Sequence, residues 1–198
     1  MNEIFYIDID KLGLSQLYLN QDKVQNISAW FHPSKIDEYE PLPVHDFWGN
    51  GKYVLTDGHT RAFLYYKSGC CKIPVMIDHD EIVTCDIGRR LYQEYVEWCN
   101  RNSVYTVKDL ESRIITSNDY EFLWIERCAR VYNLFNAIEE GTIGSKDIES
   151  LKKIGKDRDL FLYGASNNVS SFCYEDKSGN LWLYQNEEFI REYDNQKK

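Results

Sequence analysis

The spacing of apolar residues changes period along the chain. Residues 4–9 follow the two-residue alternation of a strand. From Asn20 or Gln21 the period lengthens: Val24, Ile27, Trp30 and Phe31 fall at helical spacing, and Pro33 predicts the stop. Residues 43–47 and 52–56 are extended runs on either side of Trp48-Gly49-Asn50-Gly51, whose Asn-Gly step predicts a hairpin. A helix then opens beside Gly58 and stops at Gly69, and residues 72–77 form a further strand. Beyond residue 85 the pattern is helical, with Ile87, Leu91, Tyr95, Trp98 and Cys99 on one face. Thr106 and Asp109 are spaced as a capping box with Asp in place of Glu, opening a short helix to Arg113. A longer helix is predicted over 117–140, with Leu123, Trp124, Cys128, Val131, Tyr132, Phe135 and Ile138 facing inward, and Gly141 ends it. Short strands follow at 159–163, 170–174 and 180–184, then a polar helix over 186–195.

The expected class is α+β, in three parts. These are a small mixed-sheet domain over 1–80, a helical region over 81–141, and a β-rich antiparallel meander over 142–198. Residues 141–158 read as a linker. Three short strands are too few to bury a core alone, so the meander is expected to pack on the helices.

Composition narrows the partners. With 43% hydrophobic and 15% aromatic residues in 198, the chain has ample material for packed cores. The net charge of −9 repels nucleic-acid phosphate, and the densest basic stretch, 152–158, is diluted by Gly155 and Asp157. A helix-turn-helix over 103–135 would place Asp119, Glu121 and Glu126 beside Arg127 and Arg130, a poor balance for a major groove. DNA is therefore not an expected partner. No apolar run approaches the roughly 18 residues of a membrane span, and the start MNEIFYIDID lacks the features of a signal peptide. The six cysteines show no C-x-x-C spacing and read as reduced thiols, so a cytoplasmic protein without a membrane partner is expected.

Candidate chemistry gathers around Tyr53–Ile77. A strand, a tight Asp57-Gly58 turn and a helix start put free backbone N–H groups where hydrogen bonding and the helix dipole both favour an anion. A cation in the first turn is mildly misplaced against the dipole, which makes Arg61 the leading candidate to close over a phosphate. Gly58, His59 and Thr60 complete the phosphate-binding set. Asp57 reads either as a general base toward a hydroxyl or as an N-cap. His59, beside a helix N-terminus, is expected to be neutral and able to donate or accept a proton. His45 and Asp46, in the preceding strand, are accessory candidates, and alternation lets only one of them face the turn. Nothing in the spacing demands a resident metal. Mg²⁺ arriving with a nucleotide would need only one or two carboxylates.

The same residues resemble a known pattern. Gly58-His59-Thr60-Arg61, then Lys67-Ser68-Gly69, then Ile73-Pro74-Val75, with Pro41-Leu42-Pro43-Val44 upstream, are similar to ParB-like N-terminal domains of the ParB/sulfiredoxin superfamily. The likeness covers roughly residues 3–80. It implies a sulfiredoxin-like mixed-sheet fold and nucleotide binding with ATP, ADP or CTP and Mg²⁺. Sulfiredoxins carry a catalytic Cys directly after the motif glycine, where this chain has His59, which disfavours their reaction. Partition proteins have a second motif arginine where this chain has Thr60, which weakens a CTP-switch reading. The Asp-Gly-His-Thr-Arg run looks most like the Asp-Gly-His-His-Arg form of a serine-kinase-like branch. The resemblance thus implies a phosphotransferase or nucleotide hydrolase with Asp57 and His59 as catalytic residues. Two alternatives stay open: a non-catalytic nucleotide-sensing module meeting a protein or DNA partner or a second copy, and an interaction protein that keeps only the fold.

Overall fold

The computed structural model describes residues 3–195, which form a mixed α/β chain. Contacts divide it into two compact units, one ending at Trp124 and the other starting at Ile125. The boundary falls inside the helix expected over 117–140, so the expected helical region is shared between the units.

In the first unit, strands β1 (Ile4–Asp8), β3 (Leu42–His45), β4 (Val54–Leu55) and β5 (Lys72–Ile77) form one sheet in the order β1-β5-β3-β4. β5 runs antiparallel to β1 and parallel to β3, while β3 and β4 are the two arms of the Asn-Gly hairpin. One face is the core, where Leu42, Val44, Leu55, Ile73 and Val75 are fully buried. Gly13 exchanges backbone hydrogen bonds with Tyr53 and Leu55, closing the outer side of β4. A short parallel pair, β2 (Leu19–Asn20) and β6 (Ile114–Ile115), lies apart from this sheet.

Local chemistry sets the helix starts. The Asn20 side chain accepts from the amides of Asp22 and Lys23 and so caps α1 (Gln21–Ser28). No residue of α1 is buried, and of its expected inward set only Phe31, beyond its end, is buried while Trp30 is 49% exposed. Helix α2 (His59–Lys67) joins β4 to β5. After the one-turn α3 (Glu81–Thr84), helix α4 (Asp86–Arg101) buries Leu91, Trp98 and Cys99 as its pattern predicts. Tyr92 stacks on Phe47 with ring centroids 5.2 Å apart, fixing α4 against the hairpin. Asp109 accepts from the amides of Tyr105 and Thr106 at the head of a 3-10 segment, Val107–Arg113.

The expected helix over 117–140 is α5 (Ser117–Tyr120), a π-helical stretch Glu121–Glu126, and α6 (Arg127–Glu139). Along it Leu123, Trp124, Arg127, Val131, Leu134 and Ala137 are buried, whereas Tyr132 is 47% exposed. This corrects the expected inward position of Tyr132, while the expected Leu123, Trp124 and Val131 are buried and Cys128 is half-buried.

The second unit contains α6, α7 (Ser145–Lys156), and a meander of β7 (Leu160–Ala165), β8 (Phe172–Asp176), β9 (Leu181–Gln185) and β10 (Glu188–Tyr193). The expected linker over 141–158 is therefore mostly helix. Asp147 accepts from the Gly144 amide at the head of α7, and Leu151 and Gly155 are its buried positions. A Cβ on Gly155 would lie 2.6 Å from the Tyr174 ring, so only glycine allows this approach of helix to sheet. The expected polar helix over 186–195 is instead a fourth strand. Asn186 and Glu187, both at positive φ, make the two-residue turn that returns it onto β9. Leu134, Ala137, Ile143 and Ala165 form the buried cluster between helices and sheet.

Arg127 and Arg130, the cations of the hypothetical recognition helix, are ion-paired within this unit to Glu175 and Glu192. Both cations are thus engaged within the fold of the second unit.

Candidate functional site

The motif turn is built from β4 outward. The Thr56 amide donates to Pro43 O at 3.1 Å, its hydroxyl donates to Asp78, and its carbonyl accepts from the Tyr92 hydroxyl at 3.3 Å. Gly58 follows at φ 80°, ψ 17°, a left-handed conformation that glycine adopts without strain. Space imposes the same choice: a Cβ there would lie 2.7 Å from Leu42 Cδ2. Helix α2 starts at His59, and its first closing bond runs from the Ala62 amide to Gly58 O. Among the described residues no side chain caps this end, which leaves the amides of His59, Thr60 and Arg61 directed out of the helix.

Arg61 folds back over the turn. Its Nη2 lies 3.5 Å from the position a Gly58 Cβ would take, and its Nη1 donates to Glu40 O at 2.7 Å. One turn along the helix, the Tyr65 hydroxyl is buried and has no partner among the described residues. Burial pushes its pKa up to about 12, against a smaller lowering by Arg61. Asp57 is exposed and does not cap the helix, so of its two readings the cap is not realised and the carboxylate faces solvent.

His59 is placed otherwise than a phosphate ligand would be. Its ring is 3% exposed, and Nε2 accepts from the Ser15 amide at 3.2 Å. The contact fixes the Nδ1–H tautomer and anchors the start of α2 to the loop after β1. Thr60 is 6% exposed, so its backbone amide is its more available donor. Burial holds the His59 pKa down, with Asp57 opposing and Lys23 adding to the effect, to about 4. The folded ring stays neutral where the unfolded ring, near 6.5, takes a proton. Its stabilising contribution is thus complete above pH 6.5 and is lost as pH falls toward 4. We expect stability to drop by on the order of 3 kcal/mol over that interval. In His59→Gln this part of the acid limb should be absent when urea midpoints are measured at pH 4.5 and 7. An unchanged limb would place the titration elsewhere.

The accessory pair is not brought to the turn. His45 pairs with Val54 in the ladder, whereas Asp57 lies three residues further along, about 10 Å away on strand spacing. The His45 Nδ1–H donates to Asp78 O at 3.2 Å. Asp46 accepts from the amides of Trp48, Asn50 and Gly51 and organises its own hairpin. Burial opposes its ionisation, but those amides outweigh it and hold its pKa below the usual carboxylate range. Among the described residues no cluster of three His, Cys, Asp or Glu side chains is arranged to hold a metal ion.

The arrangement therefore brings together Asp57, Gly58, Arg61 and the amides of residues 59–61. Sequence reasoning missed Glu40, whose carbonyl steers the guanidinium, and Tyr65. The i, i+4 spacing of Arg61 and Tyr65 on α2 was the available signal for the latter. Among the described residues no helix is long and apolar enough to cross a membrane. No protein-family model matches the chain, and no curated protein matches it.

Proposed function

We propose that this chain binds the phosphate of a nucleotide at the Gly58 turn, with ATP, ADP or CTP and accompanying Mg²⁺ as the candidate ligands. One observation carries the reading: the Arg61 guanidinium is folded over an uncapped helix N-terminus and held by the Glu40 carbonyl. A cation there repels the positive end of the helix dipole, and an anion between them relieves the repulsion. Asp57 is the carboxylate placed to take part in Mg²⁺ binding or to accept a proton from a substrate hydroxyl. The resemblance to ParB-like domains supports the same class, as phosphotransferase, hydrolase or nucleotide sensor. Burial of His59 favours the sensor among these, because it removes one of the two groups that turnover would use.

Thermal unfolding in ATP, ADP, CTP and GTP with Mg²⁺ tests the proposal. At one hundred times the dissociation constant a bound nucleotide should add about 2.7 kcal/mol of stability. The gain should vanish in Arg61→Ala, whose own melting should differ little from wild type. If none of the four nucleotides raises the transition, the proposal fails. Phosphate release that is lost in Asp57→Asn would assign turnover; binding without release would assign sensing.

A further inference from the structure

A run of four aromatic rings leads outward from helix α2 in the first unit. Tyr65, on the helix, meets Phe31 edge to face with ring centroids 4.9 Å apart, and Phe31 stacks on Tyr39 at 5.6 Å and 18°. Tyr39 and Trp30 then form a corner, with centroids 5.5 Å apart and planes at 69°. Tyr65 and Phe31 are buried, whereas Trp30 at the outer end is 49% exposed. An indole with half its surface in water gains free energy when a ligand covers it.

The corner is held in shape and held beside the Gly58 turn. The Tyr39 hydroxyl accepts from the His32 amide at 2.9 Å and donates to Trp30 O at 3.4 Å, so one side chain pins residues 30–32 to residue 39. Two ties then join this segment to α2. Glu40, next to Tyr39 in the chain, accepts from Arg61 Nη1 at 2.7 Å. Tyr65, on which the stack rests, lies one helical turn beyond Arg61, about 6 Å along the axis. The helix that opens at Gly58 therefore carries both the phosphate turn and the support of the aromatic corner.

We propose that Trp30 and Tyr39 receive the base of the nucleotide whose phosphate lies under Arg61, and that they favour a purine. This inference rests on the phosphate reading of the Gly58 turn and adds the half of the ligand that the turn does not touch. Every base has a π face, so an aromatic platform binds by stacking rather than by reading hydrogen-bond patterns. A two-ring purine covers more of an indole than a one-ring pyrimidine does, and dispersion and apolar burial grow with the area covered. The Tyr39 hydroxyl and the Trp30 carbonyl are bonded to each other, which leaves stacking as the recognition. ATP and GTP are then bound alike.

The test is calorimetric titration of the full chain with ATP, GTP, CTP and inorganic tripolyphosphate, each with Mg²⁺. The two purine nucleotides should bind more tightly than CTP, and CTP more tightly than tripolyphosphate. Trp30→Ala should weaken ATP about tenfold, the loss of one stacked base, and leave tripolyphosphate unchanged. Trp30→Phe should restore part of the loss, and Arg61→Ala should weaken all four ligands. A second readout does not depend on the folding of Trp30→Ala: ATP should quench tryptophan emission in wild type but not in Trp30→Phe, and tripolyphosphate should quench neither. If Trp30→Ala binds ATP as wild type does, or loses ATP and tripolyphosphate alike, the base does not stack at this corner. A loss confined to Arg61→Ala would then still uphold the phosphate turn. CTP binding as tightly as ATP overturns the purine preference. If neither ATP nor tripolyphosphate binds wild type, the phosphate reading fails and this inference falls with it.

Discussion

Replacing Glu175 by glutamine should destabilise the protein by about 3–5 kcal/mol, although it changes one atom of a side chain that binds nothing at the candidate site. Glu175 and Arg127 form a two-pronged ion pair, Nη1–Oε1 at 3.2 Å and Nη2–Oε2 at 2.5 Å, with side chains 8% and 3% exposed. The guanidinium also lies 4.8 Å from the centre of the Tyr163 ring. Such a pair gives little net stability, since desolvating both ions offsets most of their attraction. Removing one partner is another matter, because it leaves a full charge in a space built to exclude water. Arg127→Met should cost a similar amount. The double variant Arg127→Met/Glu175→Met should recover most of the loss, as replacing both ions by apolar groups of like volume removes the desolvation cost too. Guanidinium unfolding of wild type, Arg127→Met, Glu175→Met and the double variant at constant m-value measures the cycle, and Glu175→Gln is measured beside them. If Glu175→Gln loses less than about 1 kcal/mol, the pair is solvated and this account of the second unit's core is wrong.

That prediction could not have been made from the sequence. Arg127 stands four residues after Leu123 and four before Val131, on the buried face of the helix, but nothing local to it announces Glu175, 48 residues away. The fourth strand was hidden for a related reason. Residues 188–193 are polar on one side and gain strand structure by pairing with β9, which local propensity does not encode. Helix α7 falls in the stretch read as a linker; there Gly144 heads the helix and Gly155 lets it approach Tyr174, a contact between distant residues.

Elements fixed by near neighbours were legible: the Asn20 cap, the Thr106–Asp109 pairing, the Asn50-Gly51 hairpin and the face of α4. The candidate site divides along the same line. Gly58 and the open helix start follow from the run of residues, and so did Arg61 as its cation. Whether Asp57 capped the turn depended on its rotamer, and whether His59 faced a ligand depended on Ser15, 44 residues away.

The strongest local requirement of the turn gives the second large effect: Gly58→Val should destabilise the chain by roughly 2–5 kcal/mol and abolish nucleotide binding. Two costs combine. An L-residue held left-handed loses about 1–2 kcal/mol, and a β-branched one is the least tolerant of it. The new side chain also meets Leu42 Cδ2, whose residue is fully buried in β3, and overpacking a filled core costs about 1–3 kcal/mol. The strand cannot yield cheaply, because Leu42 is in register with Val75 in the centre of the sheet. Leu42→Ala on the Gly58→Val background should therefore return part of the steric cost and none of the backbone cost. Ligand binding should not return with it, since a displaced turn no longer places the amides of residues 59–61 beneath Arg61. Comparison with Arg61→Ala separates the two roles of the turn: both variants should lose the nucleotide-dependent rise in melting temperature, while only Gly58→Val lowers the ligand-free transition. A Gly58→Val protein that is stable and still binds would show that neither the left-handed turn nor its packing on Leu42 is needed, and the phosphate site would have to be sought elsewhere.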